Sequence, residues 1–198
     1  MRHLELFAGI GGFRRAMDLL TQDHIMDFHC IGYSEIDAKA VKTYCANYHP
    51  EVDGELAMGD IVEFTSNKDN IDNLPQFDLV TGGFPCQTFS MMGKQAGFNE
   101  DRGQMFFHII DILAAKMPRY VLLENVKNLK SHDKGRTFAR IKQELEALGY
   151  QVFTDIFNTA QFHLPQTRNR LLIFATTEPV PADFEKQFTC DNIAAIFE

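Results

Sequence analysis

The run Asp78-Leu-Val-Thr-Gly-Gly-Phe-Pro-Cys-Gln87 sets a thiol where chemistry is possible. A short apolar segment ends in Gly82-Gly83, and Pro85-Cys86-Gln87 turns at once. Cys86 is therefore carried out at the C-terminal end of a strand, the edge at which open α/β sheets bind ligands. A structural cysteine would sit inside the run, as Leu79 and Val80 do. An unperturbed thiol, with a pKa near about 8.5, is only slightly ionised at neutral pH, and a helix start or a cation beside it raises the reactive fraction. Tyr120-Val-Leu-Leu-Glu-Asn-Val126 brings Glu124 and Asn125 to a second strand end, the same rim if the strands are parallel. A thiolate with a carboxylic acid suits attack on an electron-poor ring, the acid supporting a ring nitrogen as charge builds. An exposed glutamate is ionised at neutral pH, so that role requires a raised pKa or a proton shared with the substrate. In Gln166-Thr-Arg168-Asn-Arg170, alternation puts both arginines on one side of an extended segment. Two guanidinia there suit a carbonyl oxygen and a phosphate.

A second constellation lies upstream. Leu6-Phe-Ala-Gly-Ile-Gly-Gly-Phe13 runs from a strand through a glycine turn into a helix. Glycines let the backbone approach a nucleotide, and the helix start offers free N–H groups. Glu35 ends the next strand, where an acid can take both hydroxyls of a ribose. Asp60 ends a third and suits an adenine amino group, with Ile61 beside it to pack on the ring. Three successive strand ends thus describe an adenosine site.

The elements needed to position these residues alternate between strand-like and helix-like, which predicts a mostly parallel α/β sheet. Strands are expected over 3–7, 29–34, 56–58, 78–81 and 120–124, and helices over 12–20, 38–47, 105–116 and 137–148. Asp37 suits an N-cap, Pro50 a stop and Gly149 the end of the last helix. Segments 151–158 and 171–175 read as a hairpin around a polar loop. After Thr176 the pattern weakens, and Pro179 and Pro181 suggest an exit from the compact body.

The chain of 198 residues is 45% hydrophobic and 23% charged, which is the composition of a folded globular domain. No apolar run approaches the roughly 20 residues of a membrane span, and no signal peptide is visible. The 4 cysteines include no Cys-x-x-Cys, which favours reduced thiols over a disulfide framework or a metal site. The net charge of −8 runs against phosphate binding. A local basic face can coexist with an acidic body, and Lys94, Arg102, Lys127, Lys130, Lys134 and Arg136 lie in or beside the loops of interest.

Taken in order from Leu4 to about Ala175, these motifs resemble the cytosine-5 DNA methyltransferases. Phe7-Ala-Gly-Ile-Gly-Gly12 is similar to the family's cofactor motif and Gly83-Phe-Pro-Cys-Gln87 to its catalytic motif. Glu124-Asn-Val126 is similar to the base-contacting motif, Gln166-x-Arg168-x-Arg170 to the arginine motif, and residues 93–103 to the mobile loop that closes over DNA. The resemblance implies a Rossmann-like S-adenosylmethionine-dependent methyltransferase fold, mostly parallel with a C-terminal antiparallel hairpin. It implies that S-adenosyl-L-methionine is used and S-adenosyl-L-homocysteine released. Phe7, Ala8, Gly9, Gly11 and Gly12, with Glu35, Ile36, Asp60, Ile61 and Pro85, would form the cofactor site, Pro85 also shaping the turn. Cys86 would add to carbon 6 of a cytosine turned out of duplex DNA. Glu124 would support ring nitrogen 3, Arg168 or Arg170 would hold the exocyclic oxygen, and Asn125 would brace the loops.

Family members continue past the arginine motif into a target-recognition region and two later motifs. Residues 1–178 are expected to form the cofactor-binding and catalytic domain, and 179–198 a lead-in to that region, which a further segment or a second chain would supply. The implied setting is the cytoplasm of a bacterial or phage-type restriction–modification system, at the nucleoid, without a membrane or a metal. A tRNA cytosine methyltransferase and a non-catalytic subunit of a split enzyme are the alternatives. An NAD-dependent oxidoreductase shares the glycine turn but leaves Pro-Cys-Gln and Glu-Asn-Val without a purpose.

Overall fold

A computed structural model describes residues 1–85 and 105–197. They fall into two compact units, one of residues 1–84 with 105–118 and one of residue 85 with 119–197. In the first, β1 (Arg2–Leu6), β2 (His29–Ser34), β3 (Leu56–Ala57) and β4 (Leu79–Gly83) are parallel in the order β3-β2-β1-β4. From β1 the chain passes to β2 on one side, and its later course returns to β4 on the other. The topological switch point therefore lies between β1 and β4, and the crevice beyond their C-terminal ends is the preferred ligand position in such sheets. The loops starting at Phe7 and Phe84 leave from those ends.

Helices α1 (Gly12–Gln22), α2 (Ala38–Tyr48), α3 (Pro50–Asp53), α4 (Ile61–Ser66), α5 (Lys68–Asn73) and α6 (Met105–Lys116) complete this unit. Asp37 caps α2 by accepting from the N–H groups of Lys39 and Ala40, and Asp60 caps α4 by accepting from that of Val62. Pro50 both ends the run of α2 and opens α3. Of the apolar residues of α6, Phe106, Ile109, Ile112 and Leu113 are buried.

In the second unit β5 (Tyr120–Val126), β6 (Gln151–Asn158) and β7 (Asn169–Thr176) form an antiparallel set with β7 in the middle. Helix α7 (Arg136–Ala147) buries Ile141 and Leu145, and Gly149 follows it at φ +91°. The chain beyond Thr176 folds back. Helices α8 (Phe184–Gln187) and α9 (Cys190–Ala194) lie on β6 and β7. Phe184 and Phe188, one helical turn apart, pack on Phe153 and Phe174 at ring separations of 4.8 and 5.7 Å. The Cys190 N–H donates to Asp155 at 2.7 Å. Aromatic burial thus holds a segment whose residue pattern alone suggests a departing tail.

Two polar side chains of β1 are buried. His3 Nε2 meets Thr81 Oγ1 at 2.7 Å, and Glu5 Oε1 accepts the Arg14 N–H in the first turn of α1 at 3.2 Å. Burial pushes the Glu5 carboxyl up from an ordinary 4.5 to about 7 and holds the His3 imidazole down from 6.5 to about 3. The folded state therefore keeps a proton on Glu5 that the unfolded chain releases above pH 4.5, so this group's contribution is lost as pH rises toward 7. His3 acts oppositely, its contribution being lost as pH falls below 6.5. Between pH 4.5 and 6.5 the two slopes offset one another. Glu5→Gln removes one of them, so the stability of the variant relative to the parent is expected to rise as pH is raised from 4.5 to 7. Urea unfolding of both proteins across that range is the check, and a pH-independent difference would refute the assignment.

Candidate active site

The switch-point loop takes a conformation that its sequence foreshadows. β1 ends at Leu6, and Phe7, Gly9 and Gly11 follow with φ of +53°, +57° and +89°. Phe7 bears the strain of a left-handed backbone with a bulky side chain. A Cβ at Gly9 or Gly12 would meet nothing within 4 Å, so the loop faces open space there.

Glu35 organises this space. Its Oε2 accepts the Gly9 N–H at 2.7 Å, and its Oε1 accepts the N–H groups of Ile36 and Asp37, each at 2.8 Å. One carboxylate thus ties the glycine loop to the start of α2. Ile36, immediately beyond, is 72% exposed, whereas Ile61 is 2% exposed. Ile61 packs into the core at the start of α4, and Ile36 presents the free apolar side chain. Asp60 is half-buried with one carboxylate oxygen engaged in capping α4. The Ser34 hydroxyl donates to the Gly59 carbonyl at 2.8 Å, tying the second strand end to the third. An open glycine loop, a fixed carboxylate and an exposed isoleucine beside open space fit the sugar and base of an adenosine-containing cofactor.

In the second unit Glu124 lies opposite Leu172, and Arg170 opposite Val126, so Glu124 and Arg170 are diagonal neighbours on one face of the antiparallel set. Arg170 Nε donates to Glu124 Oε1 at 2.6 Å, with each side chain about a quarter exposed. Arg168 precedes β7; its backbone N–H and C=O both engage Thr159, at 3.0 and 3.1 Å. Arg168 and Arg170 line a cleft of about 400 Å³ together with Val126, Lys127, Asn128 and Gln166. Asn125 is 2% exposed, and its side-chain oxygen accepts the Val126 N–H at 2.8 Å. Cys86, Lys94, Arg102 and the loop 93–103 lie outside the described residues. Among the described residues no cluster of His, Cys, Asp and Glu suits a metal, and no helix is long and apolar enough to cross a membrane.

The sequence profile of the C-5 cytosine-specific DNA methylases matches residues 1–193. The chain belongs to that family. Its relatives include the Type II methyltransferase M1.ScrFI of Lactococcus lactis subsp. cremoris, 45% identical over 170 residues that make up 86% of this chain and 40% of that protein. The orphan methyltransferase M.Rho11sI of Bacillus phage rho11s is 39% identical, over 90% of this chain and 33% of its own length. The chain therefore spans about a third to a half of these curated methylases. Among solved structures, S. pombe Dnmt2 methyltransferase superposes with a TM-score of 0.71 at 22% identity, covering 100% of this chain and 54% of that one. Entamoeba histolytica EhMeth gives 0.71 at 23% identity, covering 90% and 53%. At these identities they establish the methyltransferase fold.

Sequence reasoning anticipates Glu35 as a ligand group but not as a structural clamp, because the three N–H groups it holds belong to backbone rather than to any motif. Glu35→Gln replaces one acceptor oxygen with an amide N–H, set against a backbone donor. Each charge-assisted bond contributes about 1.5–3 kcal/mol, so this variant is expected to lose about 2 kcal/mol of stability without any cofactor present. Chemical denaturation of the cofactor-free protein measures this, and an unchanged midpoint would show that the clamp contributes nothing.

Proposed function

We propose that this chain is the cofactor-binding and catalytic part of a DNA (cytosine-5-)-methyltransferase. The observation that carries the reading is the conjunction, in a member of the C-5 cytosine methylase family, of the Glu35-clamped glycine loop with the Glu124–Arg170 pair beside a basic cleft. S-adenosyl-L-methionine, held by the Phe7–Gly12 loop, Glu35, Ile36 and Asp60, supplies an electrophilic methyl group when bound.

The chain's own residues do the rest. Cys86, as the thiolate, adds to carbon 6 of the cytosine, and the ring's electron density moves toward carbon 5. Glu124, fixed by Arg170 through Oε1, keeps Oε2 for a hydrogen bond at ring nitrogen 3, shared through a proton as that nitrogen gains charge. Arg168, with its backbone anchored to Thr159, reaches for the exocyclic oxygen. Once carbon 5 is methylated, loss of its proton restores the double bond and releases the Cys86 thiolate.

Charge placement supports a nucleic-acid partner despite the acidic total. Between Lys127 and Lys142 stand six basic residues and only one acidic residue, Asp133. Arg136, Arg140 and Lys142 are ion-paired with Asp133, Glu144 and Glu146. Lys127, Lys130 and Lys134 have no ion pair among the described residues, and Lys127 lines the arginine cleft. Such a face attracts phosphate. The chain covers 33% and 40% of the two relatives' own lengths, and by itself it is expected to give weak or no sequence-specific methylation.

The test is covalent trapping. DNA carrying 5-fluorocytosine lacks the carbon-5 proton, so an adduct at Cys86 persists. With S-adenosyl-L-methionine, high concentrations of the chain are expected to give a denaturant-resistant adduct that Cys86→Ala abolishes and Glu124→Gln reduces at least tenfold, the loss of about 1.4 kcal/mol of transition-state stabilisation. No adduct with duplex DNA or with tRNA would leave the non-catalytic subunit standing. An adduct formed with fluorinated tRNA in preference to DNA would move the substrate to RNA.

A further inference from the structure

Helix α2 grips the glycine loop at both of its ends. Before the helix, Glu35 holds the Gly9 N–H. At its last residue, the Tyr48 hydroxyl donates to the Gly11 carbonyl at 2.8 Å. The Tyr48 ring also fills the space beneath the loop, since a Cβ built on Gly11 would stand 2.2 Å from Tyr48 Cε2. Gly9 and Gly12 face open space, so Gly11 differs from its neighbours: it must be glycine on account of this ring as well as its φ of +89°. The ring is itself held. Tyr44, fully buried one helical turn earlier, lies 4.8 Å away and stacks in turn on Tyr33 of β2 at 4.3 Å. The Arg14 guanidinium sits over the Tyr48 ring, 5.4 Å from its centroid.

We infer that Tyr48 is a positioning residue for cofactor binding: its hydroxyl and ring lock the Gly9–Gly12 turn in the conformation whose open side, at Gly9 and Gly12, receives the cofactor. The inference rests on the proposed cofactor site at that turn. Without the lock, Gly11 samples other backbone conformations, and the binding-competent one has to be selected from among them, which lowers apparent affinity. The contact touches no ligand. Its effect passes entirely through the backbone of Gly11.

Calorimetric titration of the chain with S-adenosyl-L-homocysteine tests this. Tyr48→Phe keeps the ring and removes one neutral hydrogen bond, so affinity is expected to fall about fivefold with the melting temperature almost unchanged, matching the roughly 1 kcal/mol of such a bond. Tyr48→Leu removes the ring as well and is expected to cost at least tenfold, of which Phe restores the greater part. Gly11→Ala places its Cβ against the ring, and its loss is expected to be smaller in the Tyr48→Leu background, a coupling that two independent sites would not show. Leu145→Ala, buried in the other unit, lowers stability without touching the loop and is expected to bind normally. If Tyr48→Phe and every foldable Tyr48→Leu preparation bind within twofold of the parent, and the coupling to Gly11 is absent, the inference is overturned while the cofactor reading stands. If the parent itself does not bind S-adenosyl-L-homocysteine, the cofactor reading fails first, and the inference with it.

Discussion

A carboxylate with two oxygens and three backbone donors fixes the geometry on which the first unit's chemistry depends. Glu35 stands where β2 ends and α2 begins, and it satisfies N–H groups from both the helix start and the glycine loop. Those donors would otherwise be orphaned, as the first N–H groups of any turn into a helix are. The parallel sheet makes this possible: β1 and β2 are neighbours with their C-terminal ends on one edge, so Phe7 and Glu35 emerge side by side. The same edge receives the loop from β4, which leads within three residues to Cys86. The C-terminal ends of all three strands therefore lie on one edge because the sheet has one direction there.

The second unit obeys a different rule. Its strands are antiparallel, so residues two apart on one strand share a face with diagonal residues on the next. That face carries Glu124 and Arg170 at one end and Tyr120, Phe174 and Phe153 at the other. The polar end stays open at the cleft, and the apolar end is covered by Phe184 and Phe188. On the opposite face Leu171, Ile173 and Ala175 of the central strand are fully buried. A single amphipathic gradient along one sheet face thus separates the part that anchors the returning chain from the part that displays charge.

Much of this was legible beforehand. Strands with clear apolar runs, such as Leu79–Gly83 and Tyr120–Val126, and helices with a full periodic stripe, such as Arg136–Ala147, lie close to where their residues predict. The short helices α3, α4 and α5 do not announce themselves, because four to six residues hold at most two turns and no stripe. Burial of His3 and Glu5 is equally hidden: alternation would place polar side chains outward, and only the flanking strands β2 and β4 reveal β1 as internal. The different exposure of Ile61 and Ile36 is hidden for a related reason. Ile61 follows the acid that ends the third strand segment, as Ile36 follows Glu35, yet α4 begins at Ile61 itself and turns that side chain into the core, while α2 begins two residues after Ile36. The same two-residue motif therefore has opposite exposure, decided by where the helix starts.

The pairing of Arg170 with Glu124 bears on how the proposed chemistry divides between the two arginines. A guanidinium carries five N–H donors in a rigid fork. Arg170 spends Nε on Glu124 and one Nη1 hydrogen on the Asn169 carbonyl, which leaves three. Its plane, however, is fixed by these two bonds, so any further acceptor must come to it. Among the described residues Arg168 is held through its backbone, at Thr159, and its side chain is exposed at the cleft. A fixed guanidinium suits the task of orienting a carboxylate, where the cost of ordering has already been met before substrate arrives. A free one suits a group that must follow a base into position. On the proposed reading, alternation on one strand edge thus provides two identical side chains with different freedoms, and the difference comes from a single carboxylate within reach of one and not of the other.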